Sequence, residues 1–261
     1  MKISEQINYS QYSAGDLYLP EGKIPSGGWP VVLVIHGGAW TSLDKNSMTE
    51  VSKELCRNGL AVFNINYRLA PEHPYPAGVT DCRTAAGFLV ENAGKYRLNK
   101  DLLFILGASA GGHYALLTGL KTSGYSVAGI VSISGINDVF ADFAVHKERY
   151  QLLLGREASP ERLREINPSE YCYDGAPEIF CTHFIADQVV PFACCCDFVS
   201  RAGEKNMKVG VYSYYLERDN QGHGIWIPEA LPGKKLYPDI SNNIIYFFNH
   251  IINRKNSHEQ I

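Results

Sequence analysis

The sequence predicts an α/β chain with a mostly parallel central sheet and helices on both of its faces. Three observations predict it. Strand-like apolar runs alternate with helix-spaced ones along most of the 261 residues, as in a sheet covered on both sides. The apolar run Leu102 to Leu106 leads straight into Gly107-Ala108-Ser109-Ala110-Gly111, and a helix-forming run follows it. A second run, Val31 to Ile35, ends in His36-Gly37-Gly38-Ala39-Trp40, so two glycine-rich turns leave the same edge of the sheet.

Residues 7 to 19 read as the first strands, and a turn-rich connection from 21 to 29 follows them. The β-branched run Val31 to Ile35 fits a central strand. Residues 47 to 58 read as a helix, Leu60 to Ile65 as a strand and Ala77 to Asn92 as a helix. Residues 101 to 106 form the strand before Ser109, Ala115 to Leu120 lie in the helix after it, and Val127 to Ile133 form the next strand. The alternation breaks between Gly135 and Pro177, where His146 to Leu154 and Pro160 to Glu165 are helix-like with no strand between them. Glu178 to Phe184 and Val209 to Leu216 complete the strands, and His250 and His258 fall in a C-terminal helix and tail. The chain reads as a single domain, 1 to 261, with a short helical cap inserted over roughly 136 to 177.

Composition narrows the function by exclusion. A 45% apolar content supports a sizeable core, and a net charge of -3 with no basic run beyond Lys234-Lys235 argues against nucleic-acid partners. No apolar stretch reaches membrane-spanning length, and the first residues lack the apolar core of a signal peptide. The chain as it stands reads as cytoplasmic, as would a chain trimmed of a leader. Of the seven cysteines, three are consecutive. Neighbouring helical residues point in different directions, so Cys194, Cys195 and Cys196 cannot converge on one metal, and they read as small packing residues. No metal and no organic cofactor are expected.

Ser109 sits in a tight strand-to-helix turn that needs glycines two residues before and two after it, which Gly107 and Gly111 supply. A serine hydroxyl needs a base to take its proton and an acid to orient that base. Asp187 follows the strand ending at Phe184, and His223 lies in a polar loop between Gly222 and Gly224. Asp138 and Asp219 are alternative acids, and His183 is the competing base. His113 lies one turn into the helix after Ser109 and reads as a packing residue beneath the site. The turn after Ile35, with the N–H of Ala110, supplies donors for an oxyanion, and His36 props that turn.

Three stretches carry a resemblance: His36 to Trp40, Asn66-Tyr67-Arg68-Leu69-Ala70-Pro71-Glu72-His73-Pro74-Tyr75-Pro76-Ala77, and Gly107 to His113. In order and spacing the chain resembles the α/β-hydrolase superfamily, in the branch of hormone-sensitive-lipase-like carboxylesterases, over roughly residues 15 to 250. The resemblance implies Ser109 as nucleophile, His223 as general base and acid, Asp187 as its orienting partner, and the Gly38, Ala39 and Ala110 amides as the oxyanion hole, with Gly37 shaping the loop. Two departures stand out. Phe184 replaces the glycine that usually follows the strand-end histidine, and Ala39-Trp40 stand where lipase-like members carry a third glycine. The Gly-Gly-X-Trp form is similar to that of kynurenine formamidases and small sugar-ester esterases.

The expected activity is hydrolysis of short-chain acyl esters, including deacetylation of carbohydrate, with arylformamidase as the alternative. Binding without catalysis on the same scaffold is the alternative of another class. The expected partner is a small-molecule or oligosaccharide ester, with no nucleic acid and no membrane, and a homo-oligomer is left open. Trp40, Ile136 and Phe184 are the expected pocket residues, and Phe140, Phe143, Tyr150 and Tyr171 of the insertion are further candidates.

Overall fold

The computed structural model describes residues 1–121, 124–214, 223 and 237–258. Its strands are β1 (Lys2–Asn8), β2 (Ala14–Leu19), β3 (Trp29–Ile35), β4 (Ala61–Ile65), β5 (Leu98–Ala108), β6 (Gly129–Ile133), β7 (Glu178–Phe184) and β8 (Val209–Tyr214). They form one sheet in the order β1-β2-β4-β3-β5-β6-β7-β8. The β1–β2 and β2–β4 pairings are antiparallel, and every pairing from β4 to β8 is parallel. The first strand begins at Lys2, earlier than the sequence predicts, because β1 is an exposed edge without the apolar alternation that marks a covered strand. Residues 215 and 216 of the last expected strand lie outside the described residues.

Among the described residues the helices are α1 (Thr49–Arg57), α2 (Ala77–Glu91), α3 (Ala93–Tyr96), α4 (Ala110–Leu120), α5 (Val139–Phe143), α6 (Lys147–Leu154), α7 (Pro160–Ile166), α8 (Ala193–Glu204) and α9 (Pro238–His258). The five-residue α5 has no readable periodicity and rests on its cap instead. Asp138 Oδ1 accepts the N–H groups of Phe140 and Ala141, the arrangement that satisfies a helix's first free donors. Between β6 and β7 the chain contributes α5, α6, α7 and a 3-10 turn at Pro168–Tyr171 and adds no strand.

The sheet separates two apolar layers. One includes Leu33, Ile35, Ile105, Ala115 and Leu116, which pack β3 and β5 against α4, and continues to Phe198 of α8. The other includes Val32, Val34, Leu55, Phe104, Ile244 and Phe248, which pack the opposite face against α1 and α9. Strands buried on both faces explain why β3 and β5 read as continuous apolar runs. The segment between β3 and α1 is fixed by a buried ion pair, Lys45 Nζ to Asp16 Oδ2 at 2.6 Å. In addition, Asn66 Oδ1 accepts the Lys45 N–H, and the Lys45 carbonyl accepts from Asn64 Nδ2. These contacts hold in register the loop that carries Gly37 to Ala39.

Cys194 and Cys195 are buried in α8 as expected of packing residues, whereas Cys196 is exposed. Three consecutive helical positions cannot all face the core. Among the described residues no helix is long and apolar enough to cross a membrane.

Candidate active site

The turn between β5 and α4 places Ser109 at φ 55°, ψ -124°, a conformation L-residues rarely adopt. Its neighbours show why glycines flank it. A Cβ on Gly107 would lie 2.0 Å from the Gly111 carbonyl oxygen, and one on Gly111 would lie 2.2 Å from that of Ile35. The Ser109 N–H donates to Ile133 O at 2.8 Å, so β6 anchors the turn.

Two further loops meet the serine. His223 Nε2 lies 3.0 Å from Ser109 Oγ, and His223 Nδ1 lies 2.9 Å from Asp187 Oδ2. An ionised carboxylate only accepts, so Nδ1 carries the proton and Nε2 is free to accept the serine hydroxyl. The other oxygen, Asp187 Oδ1, accepts the N–H groups of Val189 and Val190, both at 2.9 Å. Those bonds fix the carboxylate's rotamer by its own loop. Gly222 and Gly224, which flank the histidine, lie outside the described residues.

The competitors are placed elsewhere. His183 is fully buried, and its Nε2–H donates to Val190 O at 3.0 Å while standing 3.7 Å from Asp187 Oδ2. Burial pushes its imidazole below the usual range, which keeps it neutral as a tether for the Asp187 loop. Asp138 is occupied as the α5 cap and as acceptor for Asn167 Nδ2. Asp219 lies outside the described residues.

The loop after β3 approaches Ser109 from the other side. Gly38, Ala39 and Trp40 have φ of +109°, 48° and 64°, and a Cβ on Gly38 would lie 2.0 Å from Ser42 O. Among the described residues the Gly38 and Ala39 N–H groups enter no turn or loop hydrogen bond, and Ala110 is the first residue of α4, where a helix N–H has no internal partner. Three donors are therefore unspent around one serine. His36 Nδ1–H donates to Gly37 O at 2.7 Å, its ring stacks on Tyr67 with centroids 4.3 Å apart, and the Tyr67 hydroxyl donates to His36 O.

Two expected pocket residues are corrected. Trp40 is fully buried. Its Nε1–H donates to His113 Nδ1 at 3.2 Å and its ring lies 5.6 Å from that of Tyr150, so it anchors the loop from beneath. An indole buries a large apolar area once its single N–H is satisfied. Phe184 is likewise fully buried at the end of β7. Ile136 does line the cavity above Ser109, a space of about 390 Å³ bounded also by Ala39, Leu43, Val189, His223 and Arg149. Of the insertion's aromatic residues, Tyr150 is buried and Phe140 is exposed at its surface.

Arg149 carries no signal in the sequence, because a cation in a polar helical run reads as a solvated face. Its Nη1 donates to Asp142 Oδ1 at 3.2 Å and its Nη2 to Val189 O at 3.1 Å. Asp142 is fully buried and also accepts from the Tyr150 hydroxyl.

Two buried imidazoles make stability pH-dependent. Burial pushes His36 and His113 down to about 4, against about 6.5 in an unfolded chain. Below pH 6.5 the unfolded state takes up protons that the folded state refuses down to about pH 4. Stability is therefore expected to fall across that window, by up to about 3 kcal/mol per histidine. Thermal unfolding between pH 7 and pH 4 checks this, and a flat Tm would contradict it.

A serine held in such a turn, with an imidazole and a carboxylate arriving from later loops of a mostly parallel sheet, is the arrangement of the α/β hydrolases. That is the class to which the fold and the site assign the chain. The BD-FAE family model matches residues 16–201, and the chain belongs to that family.

Esterase LipC of Mycobacterium tuberculosis is 28% identical over 243 residues, covering 85% of this chain and 58% of LipC. AB hydrolase superfamily protein C1039.03 of Schizosaccharomyces pombe is 35% identical over 108 residues, covering 41% of this chain and 32% of that protein. The matches thus span a third to under two thirds of these relatives' own length. A solved structure described as a truncated form of carbohydrate esterase from gut microbiota shares the fold, with a TM-score of 0.82 at 22% identity over 96% of each chain.

Proposed function

We propose that the protein is a serine carboxylesterase that hydrolyses short-chain acyl esters, with acetylated carbohydrate as its substrate class. The observation that carries the reading is the run of contacts from Ser109 Oγ through His223 to Asp187, at 3.0 and 2.9 Å.

Ser109 Oγ attacks the ester carbonyl carbon while its proton passes to His223 Nε2. The Gly38, Ala39 and Ala110 N–H groups receive the negative oxygen. As the bond to the leaving alcohol breaks, His223 returns the proton to the alcohol oxygen. Water then attacks the acyl-enzyme by the same route, which releases the acid and restores the serine. Asp187 stays ionised and keeps the imidazole in the tautomer that this route needs.

The substrate class is supported by the modest cavity and by the names of relatives. A space of about 390 Å³ suits a small acyl group better than a long chain. LipC is named an esterase and the gut structure a carbohydrate esterase. A panel of p-nitrophenyl esters from acetate to octanoate, run beside acetylated xylooligosaccharide and N-formylkynurenine, tests the reading. Highest kcat/KM on the short esters, with release of acetate from the sugar, is expected. Faster turnover of N-formylkynurenine than of any ester would make the enzyme an arylformamidase instead.

A further inference from the structure

Among the described residues, the lining of the cavity above Ser109 is almost entirely uncharged. Among its described lining residues Arg149 is the one permanent charge. Its guanidinium is half-buried and held at two points, Asp142 Oδ1 and Val189 O. A guanidinium has five N–H donors in a planar fork, so three remain beyond those two contacts among the described residues. Being fixed already, it can receive a ligand with little loss of side-chain freedom.

Its position says which part of a substrate it meets. Val189 is two residues beyond Asp187, whose carboxylate faces His223. Arg149 therefore stands on the His223 side of Ser109, whereas Gly38 and Ala39 stand on the side expected to hold the oxyanion. In ester hydrolysis the imidazole hands its proton to the leaving oxygen, so the leaving alcohol lies toward His223 and toward Arg149.

Resting on the esterase reading above, we propose that Arg149 is a specificity-determining residue that binds a carboxylate on the leaving alcohol. Acyl esters of acidic hydroxy compounds, such as uronic-acid-type sugars, are then the favoured substrates. The contact with Asp142 orients the guanidinium and stays in place, so the substrate carboxylate meets the remaining N–H donors. Arg149 takes no part in bond making or breaking.

The test compares 4-acetoxybenzoate with its uncharged amide, 4-acetoxybenzamide, two acetates of closely similar shape. In the wild-type enzyme the carboxylate is expected to lower KM by roughly tenfold at low salt, as a charge-assisted hydrogen bond does. Arg149→Met should bring the KM values of the two acetates together, whatever it does to turnover of both, and Arg149→Lys should keep part of the difference. Equal KM values in the wild-type enzyme would overturn the proposal without recourse to any variant. Equal losses on both substrates in the two variants would also overturn it, leaving Arg149 as a staple between the insertion and the Asp187 loop. If wild-type enzyme hydrolyses neither acetate, the esterase reading itself fails, and the assignment of Arg149 with it.

Discussion

Ser109→Ala is expected to lower kcat on p-nitrophenyl acetate by roughly 10⁴- to 10⁶-fold, with KM little changed. The variant should keep the fold and the cavity, so substrate still binds, and under the proposed mechanism what is lost is the oxygen that is acylated. His223→Ala should fall in the same range. Asp187→Asn should lose about 10⁴-fold, because an amide at 2.9 Å from Nδ1 favours the wrong imidazole tautomer. The three losses should not add, since each residue works only through the others. Labelling with a fluorophosphonate gives a second readout: Ser109→Ala should take up none. Turnover within tenfold of wild type in Ser109→Ala would sink the assignment.

Gly111→Ala is expected to cost about 4 kcal/mol of stability, at the upper end of what single substitutions do. The added Cβ would lie 2.2 Å from Ile35 O and 2.4 Å from His36 O, and neither oxygen can yield. Ile35 lies in β3 in register with Gly107 of β5 and Ile65 of β4, so moving it disturbs the centre of the sheet. The strain is relieved only by lifting α4 off the sheet, which also moves Ser109. A Tm lower by on the order of 10 °C should result, with loss of hydrolysis by the fraction that remains folded. Gly87→Ala is the matched control. Gly87 lies inside α2 with nothing within 4 Å of an added Cβ, and alanine there should stabilise the helix by roughly 0.5–1 kcal/mol. Similar Tm values for the two variants would refute the packing argument at the turn.

Much of the sheet is legible in the sequence because its information is local. A strand covered on both faces must be apolar along its covered length, as β3 is throughout and β5 is from Leu102 to Leu106. A turn that brings backbones within contact distance must use glycine, as at Gly107 and Gly111. Short or exposed elements escaped for the same reason in reverse. α5 is held by its Asp138 cap and not by periodicity, and β1 lies exposed at an edge.

Trp40 and Phe184 show where reading by residue type goes wrong. An aromatic in a loop or strand end near the site looks equally suited to lining a pocket and to packing beneath one, and only its three-dimensional neighbours decide between the two. Both are fully buried, and neither is among the described residues that line the cavity.

The sequence by itself determined most of the strands and longer helices, the elbow around Ser109 and the short list of groups able to serve it. Those depend on contacts between near neighbours in the chain, which composition and spacing encode directly. Only the tertiary structure showed at what distances His223 meets the serine and Asp187 meets that histidine, how the competing groups are occupied and what walls the cavity. Ser109 and His223 are 114 residues apart in the chain yet 3.0 Å apart in space. His183, much nearer Asp187 in sequence, is turned to Val190 O instead. Arg149 acquires its place only because Asp142 and the loop after β7 converge on it. Distances of this kind are set by how the sheet brings its loops to one edge, and no local pattern along the chain records them.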